Sequence, residues 1–353
     1  MVKSDEVLSY LEENLDVEHT VNVKNRIKSA LSFQPVEKAI YKFQSGNCKF
    51  KAYGYEDGFN NMDMMLVNEL MTVCNAVENK TDGVPMIRSN YGVGIMPSLF
   101  GLNCRIVNNS MPWVDHLESI DDIKALIEKG VPDLNNGLGK RTLDTHDFYN
   151  EKLSKYEKCK KMIPIYHPDL QGPFDIAHLI WGGDIYYGVY DEPELLHDLL
   201  KLVTETYIAF MKKAKANIND TEDGYNFHWG TLYRGNLVLR DDSPVNLSKD
   251  MYNEFVRPYD EMILKEFGDG SIHYCGRADQ WVLEMMETEN LKGLNFGRVP
   301  SLSYGKEFLS KVYGKAKEKK IAITDYNIDR EEFDDLIESG FDTGVTYLTY
   351  GMK

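Results

Sequence analysis

The chain has 353 residues, with 40 Lys and Arg against 56 Asp and Glu for a formal charge of −16, and is 42% hydrophobic and 12% aromatic. That composition fits one large packed domain or two ordinary ones, excludes disorder as the main theme, and, lacking a basic cluster, excludes binding to nucleic acid by phosphate neutralisation. No apolar run reaches the roughly 18 residues needed to cross a bilayer, and the acidic opening MVKSDEVLSYLEENL is unlike a signal peptide, so the expected location is cytoplasmic, off the membrane.

In chain order, residues 1–45 read as a helical extension, with an acidic amphipathic start followed by NRIKSALSFQPVEKAIYKF. Residues 46–353 then alternate short apolar segments with longer helical ones. The predicted strands are 48–55, 84–90, 162–167, 224–229, 271–275, 291–296, 320–326 and 345–350. Predicted helices include 191–216, with Asp191 as cap and Pro193 in its first turn, and 248–268, capped by Ser248 and stopped by Gly268. Two more cover 301–320 and 329–340. There is no Pro/Gly/Ser linker and no internal repeat. Eight strands alternating with helices predict a (β/α)8 TIM barrel, α/β in class, more readily than an open sheet, since no GxGxxG or P-loop follows any strand.

Five cysteines, Cys48, Cys74, Cys104, Cys159 and Cys275, are few, odd in number and without CxxC spacing, so no disulfide framework is expected.

In a barrel, chemistry belongs at the carboxyl ends of the strands. His167, His228, His273 and Cys275 fall at or near such ends. Side chains alternate across a strand, so His273 and Cys275 in Ser271-Ile272-His273-Tyr274-Cys275-Gly276 share one face and can bind one ion through an imidazole nitrogen and a sulfur, the donors zinc prefers. The plainer alternative is a buried strand whose cysteine acts as a small hydrophobe. Residues 221–244 place Trp229, Tyr233, Arg234, Arg240, Asp241 and Asp242 around a loop, where carboxylates near guanidinium groups can fix a polar substrate or orient a histidine; a simple turn at Asp241–Pro244 is the alternative. Asp169, after His167-Pro168, is an acid–base candidate or a cap.

The stretch DDSPVNLSKDMYNEFVRPYDEMILKEFGDGSIHYCGR (241–277) resembles the corresponding segment of the uroporphyrinogen decarboxylase superfamily. So do HPDLQGPFDIAHLIWGGD (167–184), VPMIRSNYG and FGLNCRIVNNSMPWVDHL (100–117), which spreads the similarity over roughly residues 80–350. The resemblance implies the barrel and two chemistries. The decarboxylase branch is metal-free, with an aspartate stabilising a pyrrole cation, here Asp241 or Asp242. Its arginine-rich N-terminal segment has no counterpart, because Arg26 is the sole arginine before residue 80. The other branch comprises cobalamin-linked methyltransferases that hold zinc through His-x-Cys and a later cysteine, and take a methyl group from, or give it to, a corrinoid carried on a partner protein. His273 and Cys275 match two of those ligands. Met352 stands where the third, a cysteine, is expected, so the missing donor is expected from His228 or a carboxylate such as Asp242.

The resemblance therefore implies a zinc-dependent methyltransferase acting on a small molecule. His273, Cys275 and His228 would bind metal, and His167, Trp229, Tyr233, Arg234 and Arg277 would line the substrate mouth. A metal-free carbon–carbon lyase on a carboxylated, tetrapyrrole-like substrate is the alternative. A non-catalytic corrinoid- or tetrapyrrole-binding barrel is a third reading, and a homo-oligomer is compatible with each.

Overall fold

The structure, a computed structural model, describes residues 2–43, 48–297 and 304–349. Its centre is a parallel sheet of six strands in the order Tyr41–Phe43, Val345–Thr349, Ala322–Asn327, Leu291–Gly297, Gly270–Cys275 and Val238–Arg240. From Val238 onward the strands follow one another across the sheet, with Arg257–Phe267, Lys306–Lys319 and Arg330–Glu338 among the helices in the connections. The alternation expected for the second half is present, and the molecule is mixed α/β with a mostly parallel sheet. Among the described residues no helix is long and apolar enough to cross a membrane.

Parallel strands are covered on both faces, and Gly270–Tyr274 are all buried. Ile272 and Tyr274 face the helix side, where Tyr274 packs edge-on against Trp281 at 5.2 Å and along Phe296 at 5.8 Å. The opposite face is filled by an antiparallel hairpin, Tyr225–His228 and Thr231–Arg234, which packs on Gly270–Cys275, Leu291–Gly297 and Ala322–Asn327. Its two-residue turn has φ of 47° at Trp229 and 73° at Gly230, the doubly positive geometry that matches the twist of paired strands. Helix Val17–Leu31 closes this plug from outside through Val23, Ile27, Ala30 and Leu31, against Phe227 and Leu232.

Four of the predicted strands differ. Residues 48–55 form no strand: Gly54 caps a helix, Tyr55–Asn60, and the first strand of the sheet comes earlier, at Tyr41–Phe43, inside the stretch 1–45 read as a helical extension. Segments 84–90 and 162–167 meet only in one parallel bridge, Ile87 to Ile165, because Pro85 and Pro164 each remove a ladder donor. Segment 224–229 is a hairpin strand, and Val238–Arg240 takes the sheet position expected for it. Period-two patterning does not distinguish a parallel stave from an antiparallel ribbon. The sheet is therefore not a closed barrel. The second of these segments, with the residues that follow it, does run along the free edge: Val238 N–H donates to His167 Nε2 at 3.2 Å, and Gly172 N–H to Arg240 O at 2.7 Å.

The predicted helix 248–268 is two helices, Lys249–Phe255 and Arg257–Phe267, broken at Val256 where Pro258 cannot continue the ladder. Asp191 ends the helix Ile185–Asp191 instead of capping Pro193–Lys215. One cysteine pair is joined: Cys48 and Cys74 form a disulfide with Cα atoms 5.7 Å apart. Their partnership arises from a loop folding onto a helix, which spacing along the chain does not encode.

Candidate metal centre

The side-chain alternation expected for Ser271–Cys275 is what the strand shows. Ser271 Oγ donates to Arg234 O on the hairpin, His273 meets Trp229 edge-on at 4.9 Å, and Cys275 continues the same row to the carboxyl end. His273 Nε2 lies 3.3 Å from Cys275 Sγ and 3.5 Å from Asp242 Oδ1. The ligand atoms of Asp242, His273 and Cys275 all fall within 4.8 Å of one another.

Asp242 reaches this position because the turn after Val238–Arg240 is held from below. The buried Asp175 carboxylate accepts from the N–H groups of Asp242 at 2.8 Å and Ser243 at 2.6 Å. Asp242 Oδ1 in turn accepts from Cys275 N–H at 2.8 Å, locking turn and strand end together. The other side of His273 is fixed as well: its Nδ1 bonds Asn295 Oδ1, and Asn295 Nδ2 donates to Thr324 O at 2.6 Å. The amide orientation thus assigns the proton to Nδ1 and leaves the Nε2 lone pair facing Asp242 and Cys275.

Burial works to raise the Asp242 carboxyl, but whenever the His273 ring is protonated its bond and charge, together with the charge of Arg240, outweigh it and hold it well below the usual carboxylate range. Burial around the sulfur, then the Asp242 carboxylate, pushes the Cys275 thiol up to about 12, so without a cation it stays protonated at neutral pH. Asp241 is different: fully enclosed, it is held far above its usual range first by burial and then by the carboxyls of Asp260 and Asp175. It keeps its proton and does not reach the mouth. Gly172 passes against it so closely that an added Cβ would strike Asp241 Oδ1 and come within 3.1 Å of Arg240 O.

Around the cluster, Asp169 gathers the hairpin turn and two arginines. Trp229 Nε1 donates to its Oδ2 at 2.9 Å, Arg88 pairs with the same oxygen, and Arg240 Nη1 stands 3.6 Å away with its guanidinium over the Trp229 ring. His228 Nε2 lies 2.7 Å from Asp169 Oδ1, but neither ring nitrogen has a hydrogen bond of good geometry. Burial, then the charges of Arg88 and Arg240, keep the ring neutral.

The residues expected at the site therefore separate. His273, Cys275 and Asp242 come together, with Trp229 beside them. His228 stands behind Trp229, outside the donor cluster. Tyr233 is buried against His228 and Trp229. His167 is enclosed with both nitrogens engaged, Nδ1 by Asp220 at 2.7 Å and Nε2 by Val238 N–H. Arg234 bonds Lys320 O at the amino end of the sheet, opposite the cluster. Arg277 lies on the exposed loop after the strand, paired with Asp279. Met352 lies outside the described residues. Sequence reading passed over Arg88, Asn295 and Asp175. Of these only Asn295 had a usable signal, since it shares strand parity and register with His273.

No family model matches the sequence, and no curated protein is similar enough to it to stand as a relative.

Proposed function

We propose that this chain is a zinc-dependent methyltransferase of the uroporphyrinogen decarboxylase type, moving a methyl group between a corrinoid protein and a small substrate. The observation that carries the reading is the convergence of Asp242, His273 and Cys275, one oxygen, one nitrogen and one sulfur donor, at the carboxyl end of a parallel sheet. Three protein donors of these types suit zinc and leave a fourth position for an exogenous ligand, the arrangement of a catalytic rather than a structural site. Zinc held there would keep a substrate thiol deprotonated and nucleophilic at neutral pH.

The chain's own residues divide the remaining work. Asn295 points the His273 lone pair at the cluster, Asp175 fixes the turn bearing Asp242, and Trp229 with Arg240 forms the adjoining wall. In this reading the segments around Ile87 and Ile165 are the two weak staves of a (β/α)8 barrel, and the hairpin fills its interior. The metal-free lyase requires an exposed carboxylate as cation stabiliser. Asp241 is enclosed and protonated and does not suit that role, and the zinc reading commits Asp242 to the metal beside His273 and Cys275.

Zinc content of protein purified without added metal tests the proposal. Wild type should hold one more equivalent of zinc per chain than Cys275→Ser or His273→Ala, and both variants should lose methyl transfer from methylcobalamin to a thiol. Equal zinc in all three overturns it.

A further inference from the structure

Cys74 and Glu78 stand four apart on the helix Met62–Asn79 and so share one face. Cys48 approaches that face from the segment beyond Tyr41–Phe43. The two sulfurs and a Glu78 carboxylate oxygen all lie within 4.8 Å of one another, with Cys74 Sγ 3.6 Å from Glu78 Oε1. Lys49 N–H donates to the same oxygen at 3.4 Å, while the Lys49 ammonium sits over the Tyr10 ring, 3.5 Å from its centre. Cys74 is buried and Cys48 half-buried, so the group opens to solvent on the Cys48 side.

With the Cys48–Cys74 bond intact, both sulfurs are spent on each other. Reduction changes the electrostatics: two thiols lie in contact with a carboxylate, and loss of their protons would place three negative charges together. A divalent ion that accepts two sulfurs and one oxygen satisfies that arrangement, and the donor set suits zinc far better than magnesium or calcium. We propose that Cys48, Cys74 and Glu78 form a second zinc-binding site, open when the cysteines are reduced and closed when they are bonded. Opening takes two electrons and two protons from a dithiol, which leaves as its own disulfide; binding then displaces the two thiol protons. In both states Cys48 is tied to the helix, by a covalent bond in one and through a metal in the other.

The site shares no residue with the Asp242–His273–Cys275 cluster and stands independently of the methyltransferase reading. Its test uses the full-length Cys275→Ser variant, reduced with a phosphine, desalted without oxygen and titrated with Co²⁺. One equivalent should bind with a thiolate-to-cobalt charge-transfer band, and none when the protein is oxidised. Cys48→Ser in the same background should lose the band, and Glu78→Gln should weaken binding without exposing new thiols to a thiol reagent. A reduced Cys275→Ser protein that takes up no cobalt overturns the proposal, as does an unchanged band in Cys48→Ser. Either result leaves the zinc difference assigned to Cys275 untouched.

Discussion

Asn295 decides which nitrogen of His273 faces the donor cluster, and it is itself decided by the Thr324 carbonyl. Replacing it with leucine keeps the volume and removes the acceptor, so if His273 holds the proposed zinc, Asn295→Leu should lower zinc affinity by about 10–100-fold, the usual cost of losing a partner that orients a ligand histidine. Competition against a chromophoric chelator measures it, and unchanged affinity would show that His273 needs no such support. His167 makes a contrasting residue-scale statement. Burial drives it from 6.5 down to about 3, against the opposing bond to Asp220. Asp220 is itself held down to about 2, against burial, by His167 and Lys215. Between those histidine values the unfolded chain binds a proton that the folded one refuses, so stability is full above about 6.5 and is lost as pH falls toward about 3. Asp220 adds a loss of the same sign from 3.8 downward. Urea midpoints across this range should fall less steeply in His167→Gln than in wild type. Equal slopes would place the ring's titration elsewhere.

At the scale of elements, the short edge strand Tyr41–Phe43 depends on a charge pair more than on its length. Lys42 and Asp325 are each 4% exposed, and Lys42 also donates to Trp229 O at 3.2 Å, joining edge strand, central strand and hairpin turn. Removing one partner strands a charge in the interior, so Lys42→Met should cost about 3–5 kcal/mol, while Lys42→Met with Asp325→Leu should recover much of it. Denaturant unfolding of the two variants reads the difference, and a double variant no better than the single one would contradict it. The hairpin fills the inner face of the mostly parallel sheet, while its Phe227 and Leu232 meet helix Val17–Leu31 and its turn carries Trp229 to His273.

Over the whole molecule, protection should follow ladder pairing. Gly270–Cys275, Leu291–Gly297, Ala322–Asn327 and Val345–Thr349 are flanked by strands on both sides, whereas the segments around Ile87 and Ile165 share a single bridge. Amide exchange should therefore be slowest in these four inner strands and faster by orders of magnitude near residues 87 and 165. Uniform protection would indicate a tighter closure than the sheet shows. The amino-acid sequence alone set the strand–helix alternation from Gly270 onward and the placing of His273 and Cys275 on one side of a strand, because these follow from local periodicity. It misplaced the first strand and took the hairpin strand 224–229 for a strand of the main sheet, since short apolar runs carry no information about their partners. Only the tertiary structure brought Asp242, and not His228, beside His273 and Cys275 and buried Asp241 beside Asp260. It also joined Cys48 to Cys74. Each of those outcomes depends on residues distant in the chain meeting in space, and a distance of that kind is written in no local pattern.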